Sequence, residues 1–209
     1  IGYRDWALKI YERISMLDNF DVILFKSNED IDEKRIEKFH PDFILCYGWS
    51  WKISDFLVKN YKTFMLHPSD LPKFRGGSPI QNQIIRGIEN SKVTIFLMNE
   101  KLDAGPILAQ DHLSLQGSIK QIFKRIEIIG YKLTLEIFKN GLKPIVQDEN
   151  LASYYKRRKS EESEITLEEL KFKKSTYLFN KIRMLQEPYP NAFIRTCDNK
   201  KLVLKVVKI

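Results

Sequence analysis

Long apolar runs are missing from this sequence of 209 residues. Its apolar runs, such as those at 21–25 and 43–47, are far shorter than the roughly 20 residues that a membrane helix needs. We therefore predict no membrane segment, no signal peptide and no membrane partner. Apolar residues make up 43% of the chain and charged residues 30%, a balance that is typical of a globular protein and argues against disorder.

Cysteine and histidine are also scarce. The two cysteines, Cys46 and Cys197, are far apart and match no metal or redox spacing, so we expect Cys46 to be a buried free thiol and the protein to be cytoplasmic. Only three histidines are present, which narrows the choice of an acid or base. No internal repeat or low-complexity tract is found.

Acidic residues are outnumbered, 27 against 35 basic ones, which gives a net charge of +8. A basic chain can bind nucleic acid or a phosphorylated small substrate, or it can simply have a solvated basic surface. The densest basic run is 156–159, and the charge alone does not decide among the three.

Short apolar runs alternate with helical patterns through the first two thirds of the chain. The runs 20–25, 42–47, 62–66, 93–98 and 107–113 predict strands, and 5–16, 31–39, 54–60 and 79–86 predict helices. A longer helix is predicted from Ser118, where Ser-Ile-Lys-Gln forms a capping box, to Asn140–Gly141. This order favours an α/β fold with a mostly parallel sheet and helices on both faces.

The composition changes after Pro144. The charged stretch 154–164 is predicted as a loop or linker, 167–185 as a helix, and the runs 193–197 and 202–207 as a β-hairpin. We therefore divide the chain into a catalytic domain, 1–150, and a small element of linker, helix and hairpin, 151–209, that could support a dimer.

Two loops carry residues suited to proton transfer. "HPSDLPKFRGGSPI" begins with His67 at the end of a predicted strand, where ligands of open α/β sheets bind. Pro68 and Pro72 would stiffen this loop, while "LDAGPILAQ" places Asp103 in a second loop. An imidazole and a carboxylate can share a proton-transfer task, although either loop alone is weak support.

Together, these two stretches resemble the folate-dependent formyltransferase family, with the closest resemblance to the nucleotide-sugar N-formyltransferases. The later stretches "ASYYKRRKSEESEI" and "IRMLQEPYPNAF" resemble the methionyl-tRNA and sugar branches of that family. The resemblance implies a Rossmann-like fold, N10-formyltetrahydrofolate as co-substrate and no metal. It implies that His67 is the general acid/base or stabilises the developing oxyanion, and that Asp103 orients His67 and helps to remove the amine proton.

The resemblance also implies binding residues. For the folate they are Ser50, Trp51, Ile53, Asn99, Lys101, Leu102 and Asp103. For the substrate they are Arg75, Gly76, Gln81 and Tyr189, with Arg75 as a cation for an anionic group. Trp49 and Trp51 could equally be structural residues that cover the hydrophobic core, because aromatic residues often follow strands.

One position departs from the family. Met65 stands where the family has Asn, two residues before the histidine, and a thioether cannot donate a hydrogen bond to the formyl oxygen. Three explanations are open: another donor such as Asn82 or a water replaces the amide, the protein is a weakened or non-catalytic relative, or Met65 is an engineered change.

The substrate expectation rests on length. The tRNA branch is expected to have a further C-terminal domain of about a hundred residues, whereas about 20 residues follow Pro190 here. We therefore expect a nucleotide-linked amino-dideoxysugar for a surface polysaccharide, such as dTDP-4-amino-4,6-dideoxyglucose, a homodimer, and no nucleic-acid partner. A methionyl-tRNA formyltransferase-like enzyme and a non-catalytic binding relative are the alternatives.

Overall fold

The computed structural model describes residues 1–208, which are built around a four-stranded sheet. The strands, in chain order β1 to β8, are Ile44–Tyr47, Thr63–His67, Arg75–Gly76, Asn90–Leu97, Ile107–Ser114, Tyr154–Tyr155, Ala192–Arg195 and Lys201–Leu204. The central sheet has the order β1-β2-β4-β5, while β3 pairs with β6 and β7 with β8.

The α/β fold class is confirmed, and the sheet contains a parallel pair, β1 and β2. The expectation of a mostly parallel sheet is corrected, because β2 and β4 are antiparallel, as are β4 and β5. For β4 and β5 the reason is the short connection 98–106, since parallel neighbours need a longer crossover.

Helices cover both faces of this sheet, as the alternating pattern predicts. The helices α1 to α7 are Asp5–Ser15, Glu33–Phe39, Asp55–Asn60, Pro79–Ile84, Ile119–Asn140, Leu167–Phe172 and Ser175–Arg183, and two short 3₁₀ turns span Glu149–Leu151 and Ser160–Ser163. One hydrophobic cluster joins α1 and α5 to Phe64 and Leu66 of β2. The other joins α2 and α3 to Ile44 and Cys46 of β1.

The predicted strand at 20–25 is not formed. Phe20 and Val22 pack against the core. Between residues 1–2 and this stretch, however, one backbone hydrogen bond is formed, from Gly2 N to Phe25 O at 3.0 Å. Packing thus explains the apolar run, whereas a strand would also need a ladder of hydrogen bonds.

The capping box at the start of α5 is confirmed: Ser118 Oγ accepts from Gln121 N, and the Gln121 side chain accepts from Ser118 N. Ser-x-x-Gln therefore fixed the start of this helix, as the pattern predicts.

The C-terminal elements pack on the same core. The predicted helix 167–185 is divided into α6 and α7 because Lys173 and Lys174 have extended backbone angles, and the predicted hairpin is confirmed as β7 and β8. Ile165, Ile182 and Ala192 belong to the cluster that contains α1 and α5. Among residues 1–208, no helix is both long enough and apolar enough to cross a membrane.

Candidate active site

His67 is the last residue of β2, and the alternation along this strand decides where its ring lies. Phe64 and Leu66 are buried beneath α1 and α5. Successive side chains on a strand point to opposite faces, so Met65 and His67 share the other face. The His67 side chain is 7% exposed and is presented at the carboxyl end of the strand.

The loop after β2 is held by hydrogen bonds to neighbouring elements. Gln83 Nε2 of α4 donates to Pro68 O at 2.8 Å, and Thr94 Oγ1 of β4 donates to Ser69 O at 2.6 Å. Within the loop, Ser69 Oγ donates to Lys73 O at 2.8 Å. The expected stiffness of this loop therefore comes from side-chain to backbone bonds as well as from its prolines.

The hydrogen bonding of the His67 ring indicates its tautomer. Nε2 lies 2.8 Å from Phe74 O. A carbonyl oxygen can only accept, so Nε2 carries the hydrogen. In the neutral ring the lone pair is then on Nδ1, which lies 3.7 Å from Asp103 Oδ2. Nδ1 is therefore the ring atom that is free to take a proton, next to a carboxylate that would stabilise the resulting positive charge.

Asp103 reaches His67 from the loop between β4 and β5. Its side chain is 12% exposed, and Oδ2 accepts a hydrogen bond from Gly76 N at 2.7 Å. The two residues that the sequence singles out are thus brought together at one end of the sheet. Within residues 1–208, no three His, Cys, Asp or Glu side chains are grouped so that they could hold a metal.

Gly76 is required by the backbone at this point. Its φ is +97°, and a Cβ there would lie 2.3 Å from Tyr155 O. A larger residue would therefore push β3 away from β6 and move the amide that holds Asp103. This backbone contact requires a glycine at position 76, and the predicted role of Gly76 in substrate binding stays a prediction.

Gln147 fixes the Asp103 loop from the other side, although no sequence motif marks this residue. Its Nε2 donates to Asp103 O at 3.0 Å and to Gly105 O at 2.6 Å. Its Oε1 accepts from Arg75 Nε at 3.1 Å. A single buried amide therefore joins the two loops that carry His67 and Asp103.

Arg75 lies inside the protein and holds neighbouring side chains together. Its side chain is 0% exposed, and all five of its N–H groups are used, by Gln147, Glu149 and Tyr154. The hydrogen bond with Glu149 raises the pKa of Arg75 and lowers that of Glu149. This geometry does not support the expectation that Arg75 offers its charge to a substrate, because no N–H group is left for one.

Asn82 does not supply the amide that Met65 lacks. Asn82 Nδ2 donates to Gly77 O at 2.8 Å and to Lys156 O at 3.2 Å, so both of its hydrogens are used. Met65 packs against the cluster that contains Trp49 and Ile53. Of the proposed explanations, replacement by Asn82 is therefore wrong in this arrangement.

The loop after β1 carries the first group of expected folate residues. Trp51 is 47% exposed and lies with Tyr3 and Trp49 in an aromatic group, with ring centroids 5.0 Å and 4.8 Å from Trp51. Ser50 Oγ lies 2.6 Å from the Tyr3 hydroxyl, while Ile53 is buried. Trp49 is buried, as expected of a residue that covers the hydrophobic core. Its Nε1, however, has no hydrogen-bond partner among the described residues.

The second group of expected folate residues lies between β4 and β5. Asn99 Oδ1 accepts from Lys101 N at 3.0 Å, which holds the turn, and Leu102 is exposed. Met98, at the base of this loop, packs in the same cluster as Trp49 and Ile53. The two loops thus share one apolar base beside Asp103.

Gln81 and Tyr189 lie together at the edge of the site. Gln81 is 3% exposed, and its Nε2 has no hydrogen-bond partner within residues 1–208. Desolvation of its hydroxyl raises the pKa of Tyr189, and the neighbouring Gln81, Arg4 and Arg157 partly oppose this rise. No motif marks Arg4, whereas Arg157 lies in the basic run 156–159 without a predicted role.

The fold and the His67–Asp103 pair define an α/β protein with an imidazole and a carboxylate side by side at its strand ends. Residues 23–133 match the family model described as formyl transferase. The methionyl-tRNA formyltransferase of Nitratiruptor sp. is 32% identical over 173 residues, which are 79% of this chain and 55% of that protein. The chain therefore belongs to the formyltransferase family, and it spans about half the length of the curated relatives it matches.

Solved structures agree with this fold. Methionyl-tRNA formyltransferase from Clostridium thermocellum has a TM-score of 0.87 and 27% identity, covering 97% of this chain and 94% of that one. A 4-N formyltransferase from Francisella tularensis has a TM-score of 0.79 at 18% identity, covering 100% of this chain and 96% of that one, and supports the fold alone.

Proposed function

We propose that the protein transfers a formyl group from N10-formyltetrahydrofolate to the amino group of a nucleotide-linked amino sugar. The observation that carries this proposal is the approach of His67 Nδ1 to Asp103 Oδ2, 3.7 Å, at the end of the sheet. Formyl transfer to an amine requires removal of one amine proton, and this pair offers a base with a neighbouring stabilising charge.

The protein groups divide this task. When bound, the folate supplies the formyl group. His67 Nδ1 accepts the proton that the amine nitrogen loses as it bonds to the formyl carbon, and the same nitrogen can return that proton to the leaving amine. The Asp103 carboxylate stabilises the imidazolium, and Gly76 N–H keeps that carboxylate in place. At position 65, a thioether leaves the formyl oxygen without the expected donor.

The folate proposal is supported by the two loops around Asp103. Trp51 offers an exposed ring for stacking, and Trp49 Nε1 is a buried donor without a partner among the described residues. The backbone from Asn99 to Leu102 can provide hydrogen bonds to a heteroaromatic ring. Folate use is also what membership of the formyltransferase family implies.

The acceptor is tested by product formation. The protein is incubated with N10-formyltetrahydrofolate and a panel of dTDP-, UDP- and GDP-linked amino sugars, and mass spectrometry measures whether one hydrogen is replaced by a formyl group. We expect one sugar to be formylated by the wild type and not by His67→Asn. Bound sugar without product would overturn the enzymatic proposal.

Charged initiator tRNA is the second candidate acceptor. It is favoured by the 32% identity to a methionyl-tRNA formyltransferase and by the net charge of +8. Charged initiator tRNA belongs in the same panel. Formylation of methionyl-tRNA without formylation of any sugar would identify tRNA, and not a sugar, as the acceptor.

A further inference from the structure

Arg4 is an arginine without an acidic partner. Among the described residues, its guanidinium forms no hydrogen bond or ion pair, and its Cζ lies 4.9 Å from the Tyr3 ring centroid and 5.4 Å from that of Tyr189. A Cβ on Gly48 would lie 2.8 Å from Arg4 Cβ, so this residue is beside the end of β1. Arg4 is therefore a cation that lies over two tyrosine rings at the carboxyl end of β1.

Arg157 approaches the same place from the stretch after β6. Its backbone lies against Gly77, where a Cβ would be 2.4 Å from Arg157 Cα. Its guanidinium makes one hydrogen bond, from Nη2 to Ser50 O at 3.2 Å, and Ser50 in turn bonds the Tyr3 hydroxyl. The two arginines thus flank Tyr3 and Ser50, and neither charge is neutralised by a carboxylate among residues 1–208.

Gln81 adds a buried donor to this group. Its Nε2 is without a partner in the described part of the chain, and its side chain lies beside the Tyr189 side chain that Arg4 covers. An unpaired buried amide costs free energy unless a ligand satisfies it. The arrangement therefore places two guanidinium groups and an amide near the Tyr189 side chain.

We infer that Arg4 and Arg157 form a phosphate-binding subsite, completed by Gln81, that holds the phosphate groups of the formyl acceptor. The inference rests on the proposed function and assigns residues to the phosphate groups of its nucleotide-linked acceptor. Guanidinium groups bind phosphate through paired, charge-assisted hydrogen bonds. Arg157 is next to Gly77, which follows the Gly76 amide bound to Asp103, so the subsite adjoins the catalytic pair.

The test measures binding directly and needs no turnover. Calorimetry compares dTDP, UDP, GDP and inorganic pyrophosphate with 5-formyltetrahydrofolate, on wild type and on Arg4→Gln and Arg157→Gln. We expect each variant to bind the preferred nucleoside diphosphate about tenfold more weakly, as is usual for the loss of a charged hydrogen bond, with unchanged folate affinity.

Arg13→Gln is the matched control. Arg13 also lies over a tyrosine, with Cζ 3.6 Å from the Tyr131 ring centroid, but in the last turn of α1. The Arg13→Gln substitution removes the same positive charge at a position away from the proposed subsite, so the affinity for phosphate probes should stay as in wild type. Equal losses in Arg13→Gln and Arg4→Gln would overturn the subsite, since a general charge effect would then explain both.

Two further results would overturn the inference. One is absence of wild-type binding to all four phosphate probes. The other is a variant that loses affinity for the folate but keeps its affinity for the nucleotide, because the arginines would then bind the carboxylates of the folate.

If thermal unfolding shows that Arg4→Gln does not fold, the Arg4→Lys variant is measured instead. A smaller loss of nucleotide affinity in Arg4→Lys supports the subsite, and unchanged affinity overturns it. Phosphate binding without sugar formylation would reject the proposed function and leave the subsite standing.

Discussion

The loops after β1 and β2 lie at the same edge of the sheet, because these strands are parallel, yet their polar groups differ. In the β2 loop, the His67 ring is bonded to Phe74 O, and every N–H group of Arg75 is used. In the β1 loop, Trp49 Nε1 is unpaired among the described residues and Trp51 is half exposed. Buried donors are rarely left unpaired, so the β1 loop still has a donor to offer to a ligand, whereas the polar groups after β2 are already bonded within the protein.

Removing either side chain of the proposed catalytic pair should have the largest effect. We expect His67→Asn and Asp103→Ala each to lower kcat/KM by about 10²- to 10⁴-fold, because the base or its stabilising charge is lost. Rapid-quench assays of formyl transfer give the rate, and calorimetry with 5-formyltetrahydrofolate should still detect binding through the β1 loop.

His112→Asn provides the control for that experiment. His112 is exposed on β5 and bonds Asn90, so its loss should leave turnover unchanged. Near wild-type activity in His67→Asn would remove the end of β2 from the chemistry and end the distinction between the two loops, and near wild-type activity in Asp103→Ala would remove the carboxylate from the proposed pair.

Replacing Arg75 should affect stability first. We expect Arg75→Met to lower the free energy of unfolding by about 3 kcal/mol, since Gln147, Glu149 and Tyr154 lose their shared donor inside the protein. Urea unfolding measures this, with the exposed Arg35→Met as control. A stable Arg75→Met variant that has lost only substrate affinity would return Arg75 to a binding role.

The proximity of His67 and Asp103 could be predicted from the sequence, whereas the residues that hold them in place could not. His67 and Asp103 are marked locally, by strand ends and by Pro and Gly in their loops. Gln147 is 72 residues from Arg75, and no local pattern links the two. The strand predicted at 20–25 is wrong for a related reason: apolar residues indicate burial, but strand pairing depends on a neighbour elsewhere in the chain.

Met65→Asn tests whether the β2 strand lacks a donor. Met65 is on the His67 face of β2, so an amide there would point toward the same space. We expect kcat to rise about tenfold, less than the full value of an oxyanion donor because the pocket is shaped around a thioether. Met98→Asn, in the same cluster, controls for added polarity. A lower or unchanged kcat would mean that the site already works without this amide.

The smallest expected effect belongs to the β1 loop. Trp51 is half exposed and stacked with Tyr3 and Trp49, so Trp51→Ala should remove a stacking surface for the folate without opening the core. Loss of one aromatic contact is worth about 1 kcal/mol, or roughly a fivefold weaker affinity for 5-formyltetrahydrofolate. Phe172→Ala, an equally simple truncation of an exposed ring on α6, should leave that affinity unchanged. If Trp51→Ala binds folate as wild type does while losing kcat, the β1 loop acts in the chemistry, and the division between the two loops is wrong.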